Sequence, residues 1–246
     1  MTIRLAMWSG PRNISTAMMR SWENRPDCTV VDEPFYAYFL KASGRDDPGR
    51  DEIIAAGTTD WREVVEELIR PVPDGPAIFY QKQMPHHMTA EIDLSWVDNI
   101  RNALLIREPH EVVASYIRSR HDLVREDVGL VQQVKLFNRL RDRGEQPPVI
   151  DANDFLRAPE PYLRWLCDWL GVEFTERMLT WPQGPRETDG VWAPYWYAAV
   201  ERSTGFQPWR PREVQLEGEP LRIAEESVPD YEMLAAHRLR LSADES

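Results

Sequence analysis

The sequence predicts an α/β fold: a three-layer α/β/α sandwich on a parallel sheet of about five strands, with an irregular C-terminal cap. Two observations carry this. Short apolar runs alternate with segments of helical periodicity, and proline or glycine marks many of the joins. The run 103–106 is apolar at every position, as expected of a strand covered on both faces.

The elements follow in order. Residues 3–8 form the first predicted strand and 15–24 the first helix. Residues 28–31 are β-rich and end at Asp32-Glu33-Pro34. Residues 41–51, polar and carrying Gly44, Pro48 and Gly49, read as an exposed loop. Trp61, Val64, Val65, Leu68 and Ile69 repeat at helical spacing, and the stretch 71–76 breaks that helix. Residues 77–80 are the third strand and 103–106 the fourth. Pro109 opens the next helix at a position that tolerates proline. Residues 130–143 form another amphipathic helix, 148–150 the fifth strand, and 159–170 a helix closed by Gly171. Beyond Trp181 the order fades, apart from a short helix near 195–202, and the acidic C-terminal residues are expected to fray.

Length and charge narrow the classes. A chain of 246 residues supports one sizeable core, so residues 1–246 read as a single domain, with a core at about 1–178 and a Trp-rich cap at about 179–235. A net charge of −12 argues against a nucleic-acid surface. Anion binding must then come from a few focused arginines. No apolar run approaches ~18 residues, so no membrane span is expected. With no leader-like N-terminus and only Cys28 and Cys167, read as buried thiols, the cytoplasm is the expected location. Of the ten tryptophans, Trp169, Trp181, Trp192, Trp196 and Trp209 fall late, as core or as cleft lining.

The most informative stretch is 8–22. Gly10-Pro11-Arg12-Asn13-Ile14-Ser15-Thr16 joins the first strand to the first helix. A helix start offers unpaired N–H groups and partial positive charge, and Arg12 adds a cationic fork. Ser15 and Thr16 are expected to cap the helix and to donate to an anion. The Walker pattern is absent, because no lysine precedes Ser15. At the end of the fourth strand, Arg107-Glu108-Pro109 leads into a helix that carries Ser115 eight residues after Arg107. A guanidinium and a hydroxyl suit a second phosphate. No metal-ligand spacing is found, and the adjacent pair His86-His87 does not suit one ion.

Arg12 through Thr16 resemble the 5′-phosphosulfate loop of sulfotransferases that use 3′-phosphoadenosine-5′-phosphosulfate (PAPS): a Lys or Arg, two small residues, then two hydroxyls. Ile14 replaces the usual glycine, and Ala17 stands where many cytosolic members carry tryptophan. Arg107 and Ser115 resemble the family's 3′-phosphate site. A weaker match runs from Asp151 to Gly171. The family's late Arg-Lys-Gly is missing; Gly184-Pro185-Arg186 is the nearest substitute and makes Arg186 a third candidate phosphate ligand.

The resemblance implies a P-loop-like fold, PAPS as co-substrate, no metal, and sulfuryl transfer to a hydroxyl or amine of a small acceptor; the sequence leaves a homodimer open. Gly10, Arg12, Asn13, Ile14, Ser15, Thr16, Arg107, Ser115 and Arg186 are the implied donor-binding residues. Arg12 is the implied cation at the bridging oxygen. Many cytosolic members end the third strand Lys-x-His; here Lys82 is kept, and Met84 stands at the histidine position. Candidate bases are Glu33, for which some bacterial members offer precedent, then His87 and His86. A P-loop kinase and a non-catalytic nucleotide-binding protein are the alternatives.

Overall fold

The computed structural model describes residues 2–71, 75–120, 122–211 and 213–241. Its centre is one parallel sheet of five strands in the order β2-β3-β1-β4-β5: β1 Ile3–Ser9, β2 Cys28–Asp32, β3 Ile78–Gln83, β4 Arg101–Ile106 and β5 Val149–Asp151. Helices α1 Ser15–Glu23, α2 Tyr36–Ser43, α3 Arg50–Ala56 and α4 Trp61–Ile69 precede β3. Helices α5 Pro109–Tyr116 and α6 Leu130–Asp142 lie between β4 and β5. After β5 come α7 Ala152–Arg157, α8 Pro159–Leu170, the single turns α9 Ala193–Trp196 and α10 Ala198–Glu201, and α11 Gly218–Ala235.

The period-2 alternation of the strands splits the core into two layers. From β1, Ala6 and Trp8 face a cluster that includes Val64 and Leu68 of α4, Val112 and Val113 of α5 and Leu136 of α6. Leu5 and Met7 face the opposite cluster, with Met18, Met19 and Trp22 of α1 and Leu163 and Leu166 of α8. This is the expected three-layer sandwich. The chain places β3 on one side of β1 and β4 on the other. The loops after β1 and β4 therefore diverge at a topological switch point, where open α/β sheets bind ligands.

Two sequence expectations change. The segment 41–51 is largely exposed as expected, but the loop is shorter: α2 runs to Ser43, α3 starts at Arg50, and Asp47 between them is buried. Asp47 accepts from Tyr36 Oη at 2.6 Å and from the guanidiniums of Arg45 and Arg120, and those partners pull the segment inward. The fading of order beyond Trp181 gives way to an 18-residue helix, α11. Gly218 at its start and Pro229 inside it read as breakers. Ile223, Ala224, Leu234 and Ala235 are nonetheless buried in the same cluster as α5 and α6, so tertiary packing outweighs local propensity. Residues 72–74 of the expected break and the fraying acidic tail at 242–246 lie outside the described residues. Cys28 and Cys167 are buried and free.

Candidate active site

The carboxyl ends of β1, β2, β3 and β4 open on one cavity of about 420 Å³. Arg12, Asn13, Ile14, Ser15, Thr16, Glu33, Lys82, Met84, His86, His87, Arg107 and Ser115 all line it. Gly10 and Arg186 do not. A Cβ on Gly10 would sit 2.2 Å from the Val128 carbonyl oxygen, so glycine is required there for the close passage of the segment before α6. Arg186 turns away from the cavity. Its guanidinium donates to the Pro182 carbonyl at 2.9 Å and lies 3.7 Å from Glu23, so it is no phosphate ligand in this arrangement.

Ser15 and Thr16 do not cap α1. They are its first two residues, Ile14 is the N-cap, and no side chain bonds the first turn. The first helical bond is Met18 N–H to the Ile14 carbonyl at 2.8 Å, which leaves the N–H groups of Ser15, Thr16 and Ala17 at the open helix end. Asn13 shapes the approach: its Nδ2 donates to the Leu105 carbonyl at 3.2 Å and its Oδ1 accepts from Ile14 N–H at 2.8 Å. Arg12 takes φ 55°, in the left-handed region that few non-glycine residues adopt.

Two distant segments meet at Arg12. Its Nε donates to Ser115 Oγ at 3.2 Å, and Arg107 donates to its carbonyl oxygen at 2.9 Å. Burial lowers the Arg12 guanidinium below its ordinary value, and Arg107 and Arg118 lower it further. Charge of one sign has been concentrated here, and an anion would relieve it. Arg107 is aimed by Glu111, which accepts from its Nε at 3.0 Å and its Nη2 at 2.7 Å, while Asn153 donates to the other Glu111 oxygen at 2.9 Å.

On the other side lies a buried charge cluster. Register pairs Asp32 of β2 with Lys82 of β3. Lys82 Nζ donates to Asp32 at 2.9 Å, Glu33 at 2.6 Å and Tyr197 Oη at 2.5 Å. Burial would lower the Lys82 ammonium, but Asp32 and Glu33 outweigh it and hold it well above its ordinary value. Burial raises the Glu33 carboxyl above the usual range; Lys82 opposes that and Asp32 and Asp47 add to it. Glu33 has φ 41°, so the loops that leave β1 and β2 at the cavity each hold a left-handed non-glycine residue, Arg12 and Glu33.

Burial pushes the His86 imidazole down to about 4 and holds His87 well below its ordinary value. His87 is sandwiched by Tyr36 and Phe39, with ring centroids at 4.8 Å on each side. Both histidines are thus neutral near pH 7, and weak bases.

Sequence reasoning missed Tyr36, Asp47, Tyr116, Arg120 and Tyr197, which also line the cavity. Tyr36, three residues after Glu33, and Tyr116, next to Ser115, had a signal of position. Asp47 and Arg120 stand further along the chain, and Tyr197 arrives from the cap. Of the late tryptophans, Trp196 lines the cavity. Trp181 and Trp192 are buried, Trp209 stacks under Arg157, and Trp169 stacks on Trp165. Among the described residues no group of three or more His, Cys, Asp or Glu is arranged for a metal ion, and no helix is long and apolar enough to cross a membrane.

A parallel sheet of this order, covered by helices on both faces and with an open helix start at its switch point, defines a three-layer α/β protein. The chain belongs to the sulfotransferase domain family, whose profile matches residues 3–236. Solved structures share the fold. The sulfotransferase from Alicyclobacillus acidocaldarius superposes with a TM-score of 0.55 at 14% identity, covering 97% of both chains. The sulfotransferase domain from the curacin biosynthetic pathway gives 0.52 at 17%, covering 92% of this chain and 97% of that one. The chain is also similar to two Arabidopsis thaliana proteins, the branched-chain-amino-acid aminotransferase-like proteins 1 and 2, at 37% and 33% identity. The match takes in 94% of this chain but only 41% of each plant protein, so it speaks for that portion of them alone.

Proposed function

We propose that this sulfotransferase-family chain moves a sulfuryl group from PAPS to a hydroxyl or amine of a small acceptor, without a metal. The observation that carries the reading is the meeting of Arg12, Arg107 and Ser115 beside the open start of α1. Two cationic forks, a hydroxyl and a helix N-terminus suit a ligand with two separate anionic groups. In this reading the N–H groups and hydroxyls of Ser15 and Thr16 bind the 5′ end, while Arg107 and Ser115 bind the 3′-phosphate. Arg12 neutralises the bridging oxygen as its bond to sulfur breaks. Glu33, raised by burial, accepts the acceptor's proton. Lys82 steadies the sulfuryl oxygens. The free, buried thiols suit a cytoplasmic enzyme.

A kinase reading lacks the Walker lysine. A non-catalytic nucleotide binder would leave the raised carboxyl of Glu33 without a task. The test is acceptor-dependent release of adenosine 3′,5′-bisphosphate from PAPS, over a panel of small alcohols, phenols, sugars and amines. Calorimetry with the bisphosphate adds the site. Arg12→Ala is expected to weaken binding by about 2–3 kcal/mol, the scale of lost charge-assisted hydrogen bonds. Unchanged affinity in the folded variant sinks the donor-site assignment.

A further inference from the structure

Lys82 has three ammonium protons, and the structure uses all three. The acceptors are Asp32, Glu33 and Tyr197. As it stands, Lys82 has no proton left for a sulfuryl oxygen. Its partners differ in how firmly they are held. Tyr197 is 4% exposed and Asp32 6%. Tyr197 Oη accepts from Lys82 and from Trp192 Nε1 at 3.2 Å, so its own proton goes to Asp32, whose oxygens lie 2.7 and 2.9 Å away. Asp32 also accepts from the Gly190 backbone N–H at 3.2 Å. The segment 190–197 of the cap thus fixes Asp32 and one side of the ammonium. Among the described residues Glu33 has no such second anchor; its carboxylate accepts from Lys82. The group carries two carboxylates against one ammonium, a surplus negative charge that a single proton cancels.

We propose that Tyr197 is a positioning residue that clamps Lys82 against Asp32, so that when Glu33 takes the acceptor's proton, Lys82 releases Glu33 and turns that N–H to the transferring group. The proposal rests on the sulfotransfer reading with Glu33 as base. The step balances. The acceptor O–H proton moves to a Glu33 oxygen, and the electron pair of that O–H bond forms the new O–S bond. The S–O bond to the 5′-phosphate breaks, and its pair stays on the phosphate oxygen facing Arg12. Lys82 exchanges one hydrogen bond and loses no proton. A neutral carboxyl is a weaker acceptor than a carboxylate, so the exchange follows from protonation itself. Without the Tyr197 hydroxyl, the ammonium has a second loose N–H and no fixed direction.

Tyr197→Phe keeps the ring and deletes that hydroxyl. Steady-state kinetics with PAPS and the best acceptor from the panel are expected to show kcat lowered about 10- to 100-fold. The KM for PAPS and the calorimetric Kd for the bisphosphate are expected to stay within about twofold. A merely structural role would lower the fraction of protein that binds the bisphosphate and spare kcat per binding site. Asp32→Asn, which weakens the same clamp from the sheet, is expected to repeat the kcat-only loss and serves if Tyr197→Phe does not fold. A kcat per site within twofold of wild type in either folded variant overturns the proposal, as does a KM that rises in step with the fall in kcat. Wild-type protein that transfers no sulfuryl group to any acceptor overturns the sulfotransfer reading and this proposal with it. An active wild type matched by an equally active Tyr197→Phe overturns this proposal alone.

Discussion

At the scale of single residues, the site is a matter of which charges are satisfied and which are not. Arg12 is a half-buried cation with further cations beside it, while Glu33 is a half-buried carboxyl whose one ammonium partner is shared. In our reading that contrast separates an anion-binding end from a proton-accepting end within one cavity. Glu33→Gln keeps the shape and removes the basic oxygen. It is expected to lower kcat by about 100- to 10,000-fold with bisphosphate affinity unchanged. His87→Ala is expected to cost less, because a ring held neutral by burial is a poor base. Parallel rate assays of the two variants decide the matter. If His87→Ala abolishes turnover while Glu33→Gln stays within a few-fold of wild type, histidine is the base.

At the scale of elements, α5 carries the second half of the proposed donor site. Pro109 starts the helix, Glu108 accepts from the Glu111 N–H at 3.0 Å, and Glu111 then faces back onto Arg107. In our reading this turn holds the 3′-phosphate fork. Arg107→Ala is therefore expected to erase most of the preference for adenosine 3′,5′-bisphosphate over the 5′-monophosphate, with monophosphate binding nearly intact. Equal calorimetric losses for both ligands would make Arg107 structural. Helix α11 serves α5 from behind. Leu234 is fully buried where α11 packs among α5 and α6. Leu234→Ala is expected to cost about 2–5 kcal/mol in denaturant unfolding, as large-to-small core changes do. A loss below about 1 kcal/mol would mean that α11 contributes little to the core.

For the molecule as a whole, the half-buried His86 and the buried His87, both held below the ordinary imidazole value, make an acid-sensitive fold. The His86 ring titrates at about 4 when folded and near the ordinary value of 6.5 when unfolded. Between those limits the unfolded chain binds more protons than the native one, so stability falls as pH falls. The contribution is complete above pH ~6.5 and amounts to at most about 3 kcal/mol. Urea unfolding from pH 7 to pH 4 is expected to show this loss, and His86→Asn to flatten part of it. An identical pH slope in the variant removes His86 as the cause.

The sequence by itself determined the sheet and its loaded edge. Apolar runs separated by helical periodicity fix a parallel α/β order. Arg12 to Thr16 and Arg107 to Ser115 were legible because each group lies within one strand–turn–helix unit, where spacing along the chain is spacing in space. The tertiary structure alone decided what lies farther apart. It brought Tyr197 and Trp192 from the cap to Lys82, turned Asp47 inward against Arg45 and Arg120, sent Arg186 to Glu23, and made a helix of 218–235 despite Pro229. Apart from the short-range Arg45–Asp47 and Trp192–Tyr197 contacts, each of these rests on a partner tens of residues away, and periodicity and local propensity carry no information about such a partner. The position of the loop from Gly10 to Thr16 is therefore written in local sequence, and the contacts of Tyr197 with Lys82 only in the packing of the cap against the sheet.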